Sequence, residues 1–359
     1  MHFEAVTLSQ FRNLREVRLS LGRGVFVLLG ENAQGKTNFL EALFLLARGF
    51  SPFAFRDEEL ITFGAEVAVL SARIVEGSTV FVRQVLLRKN GRKEWRFDGK
   101  LERRRIPLPL VGFFPEDLAL VEGEPKKRRD FVDQAVSFFS PPFAALLGKY
   151  ERILAQRNLL LRERGDKNLV RVYGEQLVVF GARIVEERLR YLRLLAPFFS
   201  QVYQRLTGSS EPLRVVYEPK GYDLSWGVEQ GLERAFRSLE GEEWERGMTL
   251  FGPHRDEVSF LLGERDVREF SSFGERKSVA LALRMAEKAV VQWIGKKSVV
   301  LLLDDAFPGL DARRRAFLAS CVFSEGQVFL TTTEEDVAWE LQKRGAKVLK
   351  VCGGSVQDA

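Results

Sequence analysis

The stretch GENAQGKT, Gly30 to Thr37, fits G-x-x-x-x-G-K-[ST] and stands between two apolar runs, the short VFVLL before it and the helix-spaced NFLEALFLL after it. Few local patterns restrict a fold so strongly. A buried strand that ends in a glycine-rich turn and continues as a helix belongs to an α/β domain. The turn's N–H groups and the helix N-terminus converge on one point, which suits a phosphate chain. In that geometry Gly30, Glu31, Asn32, Ala33, Gln34, Gly35, Lys36, Thr37 and Asn38 would wrap a triphosphate. Lys36 would reach its β- and γ-phosphates and Thr37 a magnesium ion. The alternative is a glycine-rich turn with a chance lysine, and the correct flanking elements weigh against it.

The chain has 359 residues, long enough for two domains, and 45% hydrophobic with 29% charged residues is an ordinary globular balance. Lysine and arginine exceed aspartate and glutamate by 55 to 49, which favours an anionic partner without naming it. The first twenty residues carry charges throughout and no 18-residue apolar run follows, so neither a signal peptide nor a membrane span is expected. Cys321 and Cys352 have no C-x-x-C spacing and there are only two histidines, which argues against zinc and for a reducing, cytoplasmic compartment.

Along the chain the texture changes twice. Residues 1 to about 100 read as short strands, with a hairpin signal at Asn90-Gly91. From about 127 to 207 apolar residues recur at three-four spacing, as in Leu146, Leu147, Tyr150, Ile153 and Leu154, and the RGDKN stretch interrupts them. This predicts two long helices forming an antiparallel hairpin. Strand texture returns after about 248. The expected organisation is a nucleotide-binding half at 1–122, a helical arm at 123–246 and the second half at 247–359.

The C-terminal third supplies the remaining ligands. SVVLLLDD reads as a buried parallel strand ending in two carboxylates, a Walker B pattern. Asp304 would hold magnesium opposite Thr37, and Asp305 would orient an attacking water. Upstream, SSFGERK sets Ser272, Gly274 and Glu275 at a helix start. A plain helix cap is the default for such a pattern, and a phosphate of a second protomer is the functional alternative.

Together these stretches resemble ABC-type ATPase heads and, more closely, the RecF family. FRNL, GENAQGKTNFLEAL, FFPEDLALVEGEPKKRRDFVD, YERILAQRNLLL, GPHRDEVSF, SSFGERKSVALALRMAE and LLLDDAFPGLDARRR occur in the family's order. The resemblance implies an α/β, ABC-type P-loop ATPase head, a mixed β-sheet with flanking helices and an inserted helical arm. It implies weak, DNA-stimulated ATP hydrolysis with magnesium, and an ATP-dependent homodimer. It also implies binding to duplex or gapped DNA, and recombination mediator proteins as partners in loading recombinase. Residue by residue, it places Ser272 and Gly274 on the γ-phosphate of the opposite protomer, Arg12 and Asn13 beside the nucleotide, Asp311 at the dimer seam and Glu116 near the Q-loop. Three departures stand out: Asp305 where generic ABC heads have glutamate, Thr331, Thr332 and Thr333 where many have a switch histidine, and Glu275 where the family usually has glutamine.

Basic side chains cluster at Arg88, Lys89, Arg92 and Lys93, at Arg103, Arg104 and Arg105, and at Lys126, Lys127, Arg128 and Arg129. These are the candidate DNA contacts, since phosphate neutralisation needs such groups, although solvated loops carry the same signature. Three other functions share part of the pattern: a transporter ATPase subunit, an SMC-like structural ATPase, and a DNA-binding protein with a vestigial P-loop. The arm is too short for an SMC coiled coil, and a transporter gives no reason for FRN or GPHRD.

Overall fold

The runs VFVLL, SVVLLLDD and QVFLTTT become three adjacent parallel strands of one sheet. The centre of each is apolar and buried, as a strand covered on both faces must be, and the polar residues fall at the ends. The computed structural model describes residues 1–102, 106–324 and 326–358. Its contacts divide the chain into two units, one of Met1–Asp117, Arg205–Thr207 and Leu281–Ala359, the other of Leu118–Gln204 and Gly208–Ala280.

The first unit holds two six-stranded sheets. One runs in the order Ser355–Asp358, Lys347–Cys352, Gly24–Leu29, Gln327–Thr332, Val300–Leu303, Leu110–Phe113, parallel except for the outer hairpin. Leu303 lies beside Leu330, and Thr332 beside Leu29, so three strands end together. Ligands of open α/β sheets bind at such carboxyl ends. The other sheet is antiparallel, built from His2–Phe11, Leu14–Ser20, Val67–Glu76, Thr79–Arg88, Glu94–Phe97 and Lys100–Leu101. Asn90, between the third hairpin's strands, adopts a left-handed φ of 61°, which asparagine tolerates.

The helix Lys36–Arg48 is buried along nearly all its length, with Phe39, Leu40, Leu43 and Leu46 fully inside. An apolar run on every face marks a helix enclosed on all sides. Its neighbours in the core are Phe3, Leu8 and Phe11 of the antiparallel sheet and Phe26, Leu302 and Phe329 of the parallel one. Phe329 stacks on Phe26 with centroids 5.0 Å apart. Truncating such a side chain costs about 3–5 kcal/mol.

The second unit is mostly helical. Pro125–Phe139 and Pro141–Glu163 both begin with proline in the first turn, where its missing N–H costs nothing. Lys167–Thr207 runs for 41 residues, about 60 Å, and all of it but Arg205–Thr207 belongs to this unit. Asp166 caps its start by accepting from the Asn168 N–H, and Gly208 ends it at φ 73°. Val228–Arg246 packs Leu232, Ala235 and Phe236 against Val178, Ala182 and Phe251. A Cβ at Gly174 would lie 2.2 Å from the Phe236 ring, so this crossing requires glycine. The strand Glu257–Leu262, which sequence texture grouped with the returning head, pairs with Leu213–Glu218 inside this unit. Among the described residues no helix is long and apolar enough to cross a membrane.

The GPHRDE stretch anchors the second unit's polar interior. Asp256 is buried and accepts from the Tyr217 and Tyr222 hydroxyls and the Lys220 N–H. Arg188 forms a two-point ion pair with Asp133, both bonds 2.7 Å, and donates to Pro253 O. Every charge in this cluster has a partner, which is the condition for burying it.

Candidate nucleotide site

Gly30 to Thr37 leave the central parallel strand and enter the helix Lys36–Arg48. A Cβ at Gly30 would lie 2.3 Å from Val351 O, and one at Gly35 2.7 Å from Asn13 Oδ1; Gly35 also has φ 115°. Only glycine fits either position. Glu31, Asn32 and Ala33 are exposed at the loop's crest, and Ala33 takes a left-handed φ of 62°. Asn13 Nδ2 donates to Ala33 O at 3.1 Å, and Asn38 Nδ2 to Asn13 Oδ1 at 2.8 Å. Arg12 clasps the buried Glu41 through Nε and one terminal nitrogen, both at 2.9 Å, tying the first hairpin to the loop's helix.

The Lys36 ammonium donates to Gly30 O and Glu31 O, both at 2.8 Å. It therefore closes the loop on itself as a positive centre. Burial pushes its pKa below the ordinary lysine value, and Asp305 and Asp304 pull it back up. Thr37 Oγ1 donates to Asp304 Oδ2 at 2.8 Å, and Thr331 Oγ1 to Asp304 Oδ1 at 2.7 Å. Burial lifts the Asp304 carboxyl to about 6. The hydrogen bonds from Thr331 and Thr37 oppose that rise, while Asp305 and Glu116 add repulsion. A dication would relieve that repulsion. Among the described residues no group of three or more His, Cys, Asp or Glu could hold a metal alone. A hydroxyl and a carboxylate converging beside a phosphate loop do fit magnesium, which takes one or two carboxylates and completes its shell with phosphate and water.

Across its whole length the chain is 34% identical over 371 residues to the DNA replication and repair protein RecF of Geobacillus kaustophilus, covering 99% of each. It is 30% identical over 372 residues to the RecF of Lactobacillus johnsonii, again 99% of each. The chain belongs to the RecF family. No family model matches it. Its structure superposes with a TM-score of 0.88 and 26% identity on the recombination mediator protein RecF-ATPrS of the RecFOR pathway, covering 99% of this chain and 98% of that one. A RecF-ATP structure gives 0.87 over 100% and 99%. An Smc head bound to a domain of ScpA gives 0.58 at 16% identity over 100% and 97%, a likeness of fold alone. The fold is thus the ABC-type ATPase head that RecF shares with Smc.

Within this RecF-family chain the structure brings together Arg12, Asn13, Gly30 to Asn38, Asp304 and Asp305, with Glu116 close enough to act on Asp304 electrostatically. Asp311 caps the helix Ala312–Phe323 by accepting from the Arg314 N–H at 2.9 Å. Ser272 and Gly274 belong to the second unit. There the Ser272 N–H and hydroxyl both donate to Glu275 Oε2 at 2.8 Å, and Glu275 N returns a 3.4 Å bond to the serine oxygen. This is a capping box, so the serine hydroxyl is already held by an intrachain carboxylate.

The basic clusters separate. Arg88, Lys89 and Arg92 are exposed, with Lys89 3.7 Å from Glu66, and the less exposed Lys93 pairs with Asp57 at 2.7 Å. Lys126 and Lys127 are exposed, the former 2.6 Å from Asp130. Arg128 corrects the surface reading: it is 1% exposed and locked onto Glu257 by two 2.9 Å bonds. Arg129 also turns inward, donating to Asp256 O at 2.6 Å. Their helix Pro125–Phe139 points one side of the basic run into the unit, which a run of four like charges does not disclose. Arg103, Arg104 and Arg105 lie outside the described residues.

Two groups of site residues were not read as such from the sequence. Gly353 N donates to Gln34 Oε1 at 2.7 Å and Gly354 N to Gln34 O at 3.2 Å, so the last hairpin braces the phosphate loop. Gly-Gly between apolar runs is a hairpin signal, but nothing in it points to a loop 319 residues away. Arg284 likewise holds Asp117, directly after Glu116, through bonds of 2.6 and 3.0 Å.

Proposed function

We propose that this protein binds and slowly hydrolyses ATP, and that ATP drives two copies together on duplex or gapped DNA during recombinational repair and replication maintenance, promoting recombinase loading with mediator proteins in the cytoplasm. The observation that carries the reading is the convergence of Lys36, Thr37 and Asp304 at the carboxyl ends of adjacent parallel strands. Kinship with proteins described as RecF-ATP and as recombination mediators supports it.

On this reading Gly30 to Asn38 cradle the triphosphate, with Lys36 exchanging its two carbonyl partners for phosphate oxygens. Thr37 and Asp304 would hold magnesium, which neutralises phosphate charge. Asp305 orients water at the γ-phosphate, and its short side chain suits a slow reaction. Arg12, Asn13 and Glu116 border the nucleotide. Ser272 and Gly274 meet the γ-phosphate of the second copy once Glu275 yields, and Asp311 lies along that seam. Pairing would double each exposed basic patch, of which Arg88, Lys89, Arg92, Lys126 and Lys127 remain the candidates, making DNA affinity depend on ATP.

The test is binding to a labelled duplex without nucleotide, with ATP and with a non-hydrolysable analogue, while the mass of the complex is recorded. Affinity and dimer mass should rise together only with nucleotide. DNA binding indifferent to nucleotide would remove the clamp reading.

A further inference from the structure

We infer that Thr331 is a positioning residue of the nucleotide site, its hydroxyl aiming the Asp304 carboxylate toward Thr37 while pinning Asp305 in its left-handed turn. The inference rests on the nucleotide reading above and assigns a role to a residue that touches neither phosphate nor water in that reading.

Thr331 is fully buried near the end of the strand Gln327–Thr332. Leu330 is in register with Leu303 on one side, and Thr331 with Leu28 of the loop's strand on the other. The register places the threonine beside the residues that follow Leu303. Its hydroxyl has one proton and two lone pairs, and the structure uses both kinds. It donates to Asp304 Oδ1 at 2.7 Å and accepts from Asp305 N at 3.0 Å. Asp305 has φ 44°, a conformation that costs an L residue roughly 1–2 kcal/mol and needs a local restraint.

The two oxygens of Asp304 are thus held by two threonines, Thr37 on Oδ2 and Thr331 on Oδ1. Thr37 and Asp304 would together hold magnesium, which would supply positive charge for the phosphates, and Thr37 would then be free to turn from Oδ2. Thr331 then keeps the carboxylate plane fixed from behind. Valine has nearly the shape of threonine and can neither donate nor accept, so it separates this role from packing.

The experiment compares wild type with Thr331→Val, Thr331→Ala and Thr331→Ser. Manganese binding to the protein with a non-hydrolysable ATP analogue is followed by electron paramagnetic resonance. Nucleotide affinity in EDTA is measured in parallel. Loss of an outer-shell partner weakens metal binding about 10- to 100-fold. Thr331→Val and Thr331→Ala should therefore lose at least about 10-fold in manganese affinity while metal-free nucleotide affinity is unchanged, and Thr331→Ser should match wild type. If valine destabilises the fold, the alanine and serine pair decides alone. Equal manganese affinity in all four proteins, or a serine variant as weak as the alanine one, overturns the inference. Failure of wild type itself to bind the analogue would instead overturn the nucleotide reading, before any variant is compared.

Discussion

Thr37 Oγ1 donates to Asp304 Oδ2 at 2.8 Å, joining the first helix of the chain to the end of a strand 267 residues later. The bond holds a carboxylate that burial has made costly to ionise, with its pKa lifted from 3.8 to about 6. The folded chain therefore binds this proton more readily than the unfolded one. The penalty is fully present above pH 6 and fades as pH falls toward 3.8. Asp304→Asn should raise nucleotide-free stability at pH 7.5 by up to about 3 kcal/mol, an advantage that vanishes near pH 4, while hydrolysis falls by about 100-fold or more. Denaturant melts at the two pH values and an ATPase assay check both halves.

The Glu275 carboxylate accepts from the Ser272 N–H and hydroxyl at a helix start, the place that the proposed dimer assigns to a phosphate of the second copy. Glutamine can make the same capping box without the charge. Glu275→Gln should therefore leave monomer stability within about 1 kcal/mol and tighten analogue-driven dimerisation roughly five-fold, the worth of about 1 kcal/mol at a helix N-terminus. Sedimentation equilibrium with the analogue gives the dimer constant, and an unchanged value would show that this carboxylate does not oppose pairing.

How much of this was legible beforehand depends on whether a contact is local. Gly30, Gly35, Lys36 and Thr37 declare themselves because phosphate binding needs glycine, lysine and hydroxyl at fixed spacing on one turn. SVVLLLDD declares its strand and its carboxylates for the same reason. The long helices were readable from three-four spacing, and their break falls at Arg164–Asp166, within RGDKN. What stayed hidden are pairings between distant segments of similar texture. Arg128 reads like Lys126 until Glu257 is placed beside it. The Gly353–Gly354 turn reads as any hairpin until Gln34 is found against it. Tertiary packing decided both, and a contact between segments 129 or 319 residues apart leaves no mark in either one.

His254 adds a pH dependence of the opposite sign to that of Asp304. Its Nδ1 lies 2.8 Å from the Tyr150 hydroxyl, and burial, with repulsion from Arg255, Arg129 and Arg188, depresses its pKa from 6.5 to about 3. The unfolded chain takes up a proton below pH 6.5 and the folded chain does not. Stability is therefore complete above pH 6.5 and is lost as pH falls toward 3. Asp256, whose carboxyl burial raises, works against this slope. Comparison with His254→Gln isolates the histidine: between pH 7.5 and 5 wild type should lose about 2 kcal/mol relative to the variant in urea melts.

Arg128 and Lys127 are neighbours in sequence and should behave as different kinds of residue. Arg128 balances the buried Glu257 carboxylate, whose pKa is lowered by that partner and by Arg268 against the effect of burial. Removing it leaves the buried Glu257 with Arg268, at 3.2 Å, as its remaining charge partner, so Arg128→Ala should cost up to about 3–5 kcal/mol of stability. Folded Arg128→Ala protein should keep the wild-type dependence of DNA affinity on salt. Lys127 is exposed, and Lys127→Ala should leave stability within about 0.5 kcal/mol. If its patch meets phosphate, the salt slope should fall by about 1 for each copy in contact. The same titration, run with the ATP analogue at four salt concentrations, reads both variants. A reduced slope in Arg128→Ala alone would mean that this side chain leaves Glu257 to reach DNA.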